Sequence, residues 1–382
     1  MLEEAIVIVL FAAAAAGCLF MIVAAALAPP AAHTQRPTGR SEPPVTVLKP
    51  LYGDETGLFE NLVSFCEQVY SGPVQYVFGV ADAADPAVAV VERLKAAYPH
   101  HNIELVVDAT RAGTNPKVAN LINMSGRIAH DIVVIADSDI RVRPDYLSRI
   151  VNALERRGGA VTAPYYGIAT AGVWSWLSSL NLDGHFLPGV LVGSRFALSR
   201  PCLGSTVALQ RRSLVAIGGF EAIADCLADD FELGRLLAEH GESVSLLPFA
   251  VGHVCDERSF AQLWHHELRW AMTIRTIDPL GYVGWSVSHA FALSLIAWAI
   301  EGGEVAPFFA AGALACRSLL ILAIERGYGL PPRPYWLIPV RDLLSFAVYI
   351  AGYFVRDVDW KGRHYRLKSE GILIPERRTP SP

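Results

Sequence analysis

The chain has 382 residues, 52% of them hydrophobic and 18% charged, with a formal net charge of -5 at pH 7. That length holds one large domain or two ordinary ones, and the mildly acidic balance excludes the basic footprint on which nucleic-acid binding depends. A mean hydropathy of +0.33 is high for a purely soluble protein, so class is decided by where the apolar residues are concentrated.

Glu3 and Glu4 precede an uncharged run from Ala5 to Ala28, roughly two dozen residues and enough to cross a bilayer. A secretory signal would open on basic residues and carry a shorter apolar core, so residues 1–30 are expected to be a retained transmembrane anchor. His33, Arg36, Arg40 and Lys49 come next. By the positive-inside rule they put the N-terminus outside and the following domain in the cytoplasm. Residues 31–43 contain Pro37 and Pro43 and read as a linker.

Residues 44–280 read as an α/β domain. Val45 to Pro50 is a predicted strand, and Glu55 to Val69 has helical spacing, with Leu58, Leu62, Phe65 and Val69 on one side. A second strand, Gln75 to Asp82, ends in an acid. Pro86 to Tyr98 is a predicted helix with proline in its first turn, where the missing N–H costs nothing. Ile103 to Asp108 is a third strand, Asn115 to Ser125 a short helix, and Ile132 to Ala136 a fourth strand. Strands alternating with helices predict a mostly parallel, doubly wound sheet.

The fourth strand, four β-branched residues in five, is expected to be buried on both faces, and it runs into Asp137-Ser138-Asp139. Ligands of open α/β sheets bind beyond the carboxyl ends of the strands. Carboxylates at i and i+2 there can share a hard divalent cation with the phosphates of a nucleotide; an acidic turn that caps the next element is the plain alternative. Asp82, at another strand end, fits the same edge.

After an amphipathic helix over Tyr146 to Arg156, the stretch Val173 to Leu198 is rich in Trp, Leu and Phe but broken by Asp183, His185, Pro188 and Gly189. It reads as an interfacial or re-entrant element near residues 173–198, or as a buried helix pair. Leu203 to Phe220 resumes as strand, then helix. Leu227 to Gly241 is a helix whose first turn carries Asp229 and Asp230, where the helix dipole favours acids. Residues 260–276 include a cationic, aromatic helix, His265 to Thr276. Three apolar blocks follow within residues 281–356: Tyr282 to Ile300, Val305 to Ile324 and Tyr335 to Val355, each near spanning length. Arg317, Arg341 and Asp342 lie inside them, and charges at that depth need partners; Arg341 and Asp342 are expected to pair. The tail, residues 357–382, is basic near its start, which clashes with positive-inside if all three blocks span. The six cysteines have no CxxC spacing and read as reduced thiols, not as disulfides or a zinc site.

Asp82, then Asp137-x-Asp139, then Asp229-Asp230, then Arg269-Trp270 resembles the D, DxD, D, (Q/R)xxRW series of GT-A glycosyltransferases that are processive or act on lipids. VTVLKPLYG, ADAADPA, GTNPKVANL, DSDIRV, LADDFELGRLL and HELRW resemble glycosyltransferase family 21, which holds the ceramide glucosyltransferases and bacterial relatives acting on hopanoids. HELRWAMTIRTIDPLGY and PCLGSTVAL tilt the likeness toward the hopanoid branch.

The resemblance implies a GT-A-type domain, a UDP-sugar donor and a membrane lipid acceptor, ceramide or a hopanoid polyol. It implies Asp82 on the nucleoside side, with Asp85 as a weaker candidate, and Asp137 and Asp139 at the diphosphate with Mg²⁺ or Mn²⁺. Lys117, beside Asn115 in the NPK motif, would meet the diphosphate. Asp230 matches the catalytic base, and Asp229 a cap or support. Arg269 and Trp270 would add a diphosphate contact and a packing ring. His185 falls where ceramide glucosyltransferases carry a histidine near the acceptor. His266 stands where the motif has Gln or Arg, a departure that leaves it a phosphate donor or a metal ligand. His253 is a further possible ligand.

The expected reaction is an inverting transfer of one hexose, glucose or N-acetylglucosamine, to a lipid hydroxyl entering between the Val173 to Leu198 element and the Arg269-Trp270 helix. The setting would be an integral protein of a bacterial inner membrane with a cytoplasmic catalytic domain. A processive polysaccharide synthase shares the motifs but usually has more spans and QxxRW; a membrane-tethered regulator that binds UDP without catalysis is a further rival.

Overall fold

The computed structural model describes residues 1–29, 42–53, 55–199 and 202–355, and the backbone of 357–360, 363–367 and 373–375. Most of the linker expected over 31–43 and parts of the basic tail lie outside the described residues. In chain order, α1 (Leu2–Leu27) is followed by β1 (Val45–Pro50), α2 (Leu58–Cys66), β2 (Val74–Val80), α3 (Pro86–Ala97), β3 (Asn102–Val107) and α4 (Pro116–Ser125). Then come β4 (Ile132–Ala136), β5 (Ile140–Arg141), α5 (Tyr146–Arg157), β6 (Ala160–Thr162), β7 (Tyr165–Ala169), α6 (Val173–Asn181) and α7 (Leu187–Arg195). The chain continues through β8 (Thr206–Gln210), α8 (Arg211–Ala216), α9 (Asp229–Glu239), β9 (Val244–Leu246), β10 (Val251–Cys255), α10 (Phe260–Ile277) and α11 (Pro279–Gly284). Last are α12 (Ala290–Glu301), α13 (Ala306–Tyr328), α14 (Ile338–Ala351), β11 (Asp357–Trp360), β12 (Arg363–Leu367) and β13 (Leu373–Pro375).

The chain divides into two compact units, one made of Thr34–Tyr166, Arg200–Val254 and Gly371–Pro382, the other of Met1–His33, Gly167–Ser199 and Cys255–Glu370. The first is built on a seven-stranded sheet in the order β3-β2-β1-β4-β8-β6-β9. β1, β2, β3 and β4 run parallel, as the alternation of strands and helices predicts. β8 runs antiparallel to both β4 and β6, so the sheet is mostly parallel with one reversed strand inside it. Every residue of β1 and β4 is buried. Apolar side chains of that kind are worth about 1.5–3 kcal/mol each on burial, and α2, α3, α4 and α5 supply the covering residues such as Leu62, Val91, Leu121 and Ile150. α2 starts at Leu58, later than its apolar spacing suggests, because Gly57 precedes it with a φ of 74° that most other residues would resist.

In the second unit, three helical stretches are long and apolar enough to cross a membrane: Leu2–Leu27, Pro279–Glu301 and Ala306–Tyr328. The third C-terminal block differs from expectation. It folds as a short 3₁₀ turn, Tyr335–Leu337, and then α14 of 14 residues, well short of the roughly 20 needed to span. The broken stretch after Gly172 is α6, a π-helical turn over Leu182–Phe186, and α7. Its Leu177 and Leu180 pack with Leu263, Ile321 and Ile338 in one apolar cluster, while Val173, Phe196 and Leu198 are exposed. All six cysteines are free thiols.

Candidate active site

Parallel pairing puts the ends of β2, β1 and β4 side by side, so Asp82, Lys49 and Asp137 share one edge of the sheet. The turn after β4 is held by its backbone. The Asp137 carbonyl accepts a hydrogen bond from Lys49 Nζ at 2.7 Å. The Ser138 carbonyl accepts one from Asn61 Nδ2 at 3.2 Å, and the Asp139 carbonyl one from the Val254 amide at 2.9 Å. With the main chain pinned, the two carboxylates are spared that work. Lys49 is fully buried and lies over the Phe65 ring, 3.8 Å from its centroid. Burial pulls its ammonium down to about 7, against the attraction of Asp139 and Asp137.

α4 aims Lys117. Asn115 caps that helix, accepting from the amides of Lys117 and Val118, and its Nδ2 donates to the Cys226 carbonyl at 2.7 Å. Thr114 donates both its amide and its hydroxyl to Asp225 Oδ1, at 2.9 and 3.0 Å. The start of α4 is thereby stitched to the segment leading into α9. Lys117 Nζ reaches Asp137 Oδ1 at 2.7 Å and Asp229 Oδ2 at 2.9 Å, joining the DSD turn to the paired acids. Burial works against its charge, but Asp137, Asp229 and Asp230 outweigh it and hold the ammonium well above its ordinary range. Asp229 is therefore an ion-pair partner and more than a helix cap.

Asp230 accepts from the Gly204 amide at 2.7 Å on Oδ2 and from the Phe231 amide at 2.8 Å on Oδ1. Burial first, and then the adjacent Asp229, push its carboxyl up to about 6, against the pull of Lys117. A carboxyl that titrates near neutrality suits proton transfer at physiological pH. Burial likewise raises Asp137, and Lys117 pulls it back. Asp139 Oδ2 lies 3.3 Å from His253 Nε2, and His253 stacks on Tyr165 with centroids 5.5 Å apart.

Asp82 is exposed, and among the hydrogen bonds described its carboxylate accepts only a local one, from the Ala84 amide. Asp85 is engaged otherwise. It caps α3 through Ala87 and accepts from the Gly53 amide at 3.0 and 3.1 Å, so its carboxylate already has a structural role. Among the described residues, no three His, Cys, Asp or Glu side chains cluster so as to hold a metal unaided. Two carboxylates at i and i+2 fit a cation completed by phosphate and water, as Mg²⁺ prefers, and do not fit an all-protein cage.

The other unit holds the remaining expected residues. His266 Nδ1 is 2.6 Å from Glu257 Oε1, which also accepts from Ser178 Oγ at 3.0 Å. Burial raises Glu257, but the bonds from His266 and Ser178 prevail and keep it below its ordinary value. With the Nδ1 proton donated to Glu257, Nε2 is the ring nitrogen left for another group. The His266 ring meets the edge of Trp270 at 4.9 Å, and Arg269 is one turn before Thr273, whose hydroxyl bonds its carbonyl. His185 is buried, 3.1 Å from Asp342. Asp342 pairs with Arg317 at 3.0 Å, and Arg341 forks onto Glu267 at 2.6 and 2.7 Å. The expected Arg341–Asp342 pair does not form, because adjacent residues on a helix point about 100° apart.

Sequence reading passed over Lys49, Gly204 and Glu257. Lys49 carried a signal, a lone cation at the end of an otherwise apolar strand, and Gly204 stood just before one; Glu257 gave none.

Ceramide glucosyltransferase 1 of Caenorhabditis elegans is 26% identical to this chain over 365 residues, which cover 87% of this chain and 73% of that protein. Ceramide glucosyltransferase 3 of the same organism is 22% identical over 368 residues, 88% of this chain and 75% of the relative. Among solved structures, the mannosyltransferase PcManGT from Pyrobaculum calidifontis, in complex with GDP-Man and Mn²⁺, matches with a TM-score of 0.51 at 22% identity. That match covers 92% of this chain and 99% of the other, and it shows the GT-A-type fold. The model of glycosyl transferase family 21 matches residues 7–373, and with nearly the whole chain so accounted for, this protein belongs to glycosyl transferase family 21.

Proposed function

We propose that this glycosyltransferase moves one hexose from a UDP-sugar to the hydroxyl of a membrane lipid by a single inverting displacement. The carrying observation is the joining of Asp137, Lys117, Asp229 and Asp230 within one unit, with an ammonium bridging two of the carboxylates and a third carboxylate beside them that titrates at about 6. Asp82 would accept hydrogen bonds from the nucleoside, and Lys117 would turn from carboxylates to the diphosphate when a donor arrives. Asp137 and Asp139 would hold a Mg²⁺ or Mn²⁺ ion, whose chemistry there would be to offset negative charge on the leaving group. His253, at Asp139, is a further ligand proposal. The acceptor oxygen attacks the anomeric carbon, its proton passes to Asp230, and the bond to the phosphate oxygen breaks with its electron pair leaving on UDP.

Arg269 and Trp270 are assigned to the donor, and His185 and His266 to the acceptor side, on the motif alone. Ceramide is favoured as the acceptor class by the names of the relatives; a hopanoid polyol rests on the sequence likeness. Two C-terminal spans after one anchor return the chain to the side of the catalytic domain. The basic tail then lies in the cytoplasm, as positive-inside requires.

The test incubates membranes with labelled UDP-glucose or UDP-N-acetylglucosamine and either lipid, and identifies the product by mass. One hexose on one lipid is expected. A polymer would establish the synthase reading, and no transfer with intact UDP binding would establish the regulator.

A further inference from the structure

β8 pairs with β4 so that Thr206 lies opposite Ala136, which brings the residues just before β8 alongside Asp137. Both neighbours of Gly204 are tied down. The Leu203 amide donates to Thr162 Oγ1 at 3.1 Å, and Ser205 Oγ donates to the Ala163 carbonyl at 3.0 Å. Gly204 is thus held at a fixed height, and its amide grips Asp230 Oδ2 at 2.7 Å. A methyl group placed on its Cα would stand 3.2 Å from Asp230 Oδ2, 3.3 Å from Asp137 Oδ2 and 3.3 Å from Lys117 Nζ. The bare Cα is therefore the one point around which the base, the diphosphate carboxylate and the lysine all close.

We infer that Gly204 is a positioning residue of the transfer reaction: its missing side chain sets the spacing between the proton acceptor and the groups that hold the leaving group. The inference rests on the function proposed above. It does not follow from backbone conformation, since Gly204 is not among the glycines with positive φ. The restriction is one of space, and the space is bounded by the reacting machinery. All three atoms that a methyl would press are the ends of side chains, so the fold can accept Gly204→Ala while those ends give way. Displacement of that kind is costly in a reaction whose rate depends on alignment, on the order of 10²-fold per ångström.

The experiment measures donor turnover and UDP binding in the full-length, membrane-embedded enzyme, with whichever UDP-sugar and lipid the unchanged protein uses. Gly126→Ala serves as control, because a Cβ there meets nothing within 4 Å. With contacts of 3.2–3.3 Å the ends must give by a few tenths of an ångström, so Gly204→Ala is expected to lower kcat about fourfold, with KM for the donor changed less and the melting temperature kept. It should also move the acid limb of the pH profile upward, as Asp230 loses the grip of the amide. Gly126→Ala should do none of this. Turnover and acid limb within twofold of the unchanged enzyme would overturn the inference. So would a Gly204→Ala protein too unstable to purify, since the role would then be structural. Asp230→Asn, run alongside, separates the two levels. If it stops transfer while Gly204→Ala is silent, only the inference about Gly204 fails; if it too is silent, the assignment of the base fails with it.

Discussion

Among the described residues, two sets of charged side chains are built on different plans. In the membrane-type unit, Arg317 meets Asp342, Arg333 meets Asp183 and Arg341 meets Glu267, three cations with three anions, all with side chains at most 5% exposed. Their remaining donors are taken up as well: Arg317 also bonds the Gly184 and Ser288 carbonyls, and Arg333 the Gly167 carbonyl. In the sheet-type unit, one ammonium, Lys117, serves Asp137 and Asp229 with Asp230 close by, and the partners are 14–31% exposed. In the first set each arginine has its own carboxylate, the pairing that buried charges need if they are to hold a structure together. The second has an excess of negative charge and an opening to solvent, which stores affinity for a cationic or hydrogen-bonding guest. We read the arginine-paired set as scaffold and the acid-rich set as the proposed site.

The largest effect that tests this contrast is at Asp230. Asp230→Asn keeps the shape and most of the hydrogen bonding but cannot take a proton, so turnover should fall on the order of 10³-fold. UDP affinity by calorimetry should stay near that of the unchanged enzyme; surviving turnover would move the base elsewhere. Next comes the closed network. Arg341→Met strands Glu267 without its partner, and breaking a buried pair costs about 3–5 kcal/mol. Thermal unfolding in detergent should register the loss, and adding Glu267→Leu should return much of it. If the double variant were no better than the single one, the pair would not be acting as a balanced unit.

A smaller effect distinguishes the two sets by pH. Asp230 titrates at about 6 against an ordinary 3.8, so the fold favours its protonated form. The stability it contributes is present below pH about 4 and is lost as pH rises through about 6, while the catalytic form grows over that same window. Turnover should therefore climb from pH 5 to 7 with a midpoint near 6, as the contribution of Asp230 to stability declines. Asp230→Asn should remove its part of the pH dependence of unfolding.

The division between legible and hidden parts of the structure follows the same contrast. The placement of Asp137 and Asp139 after a strand, and of Asp230 at a helix start, was readable because β4 and α9 have clear patterns, the one ending and the other beginning at acids. The parallel half of the sheet was readable for the same reason. The reversed β8 was not, because a strand carries no mark of its direction. Gly204 and Lys49 were passed over because their importance comes from β8 and β1 lying beside β4, a long-range pairing. Arg341 was assigned to Asp342 because they are neighbours in sequence, whereas a helix sends adjacent side chains to different faces and their partners come from residues 74 and 25 positions away.

The finest test lies within one loop, where Asp82 and Asp85 stand three residues apart and illustrate the two plans in miniature. Asp85 is satisfied: it caps α3 and clamps the Gly53 amide with both oxygens. Asp82 is exposed and turned to a local amide only. Losing an aspartate cap costs about 1 kcal/mol, so Asp85→Ala should lower the melting temperature by a few degrees and leave the donor KM close to its original value. Asp82→Ala should do the reverse, leaving stability within about 0.5 kcal/mol while weakening UDP binding several-fold. Calorimetric titration with UDP and thermal unfolding of the same two variants decide it. If Asp85→Ala weakens UDP binding more than Asp82→Ala does, the nucleoside contact belongs to Asp85, and a fully bonded acid in this protein can still serve a ligand.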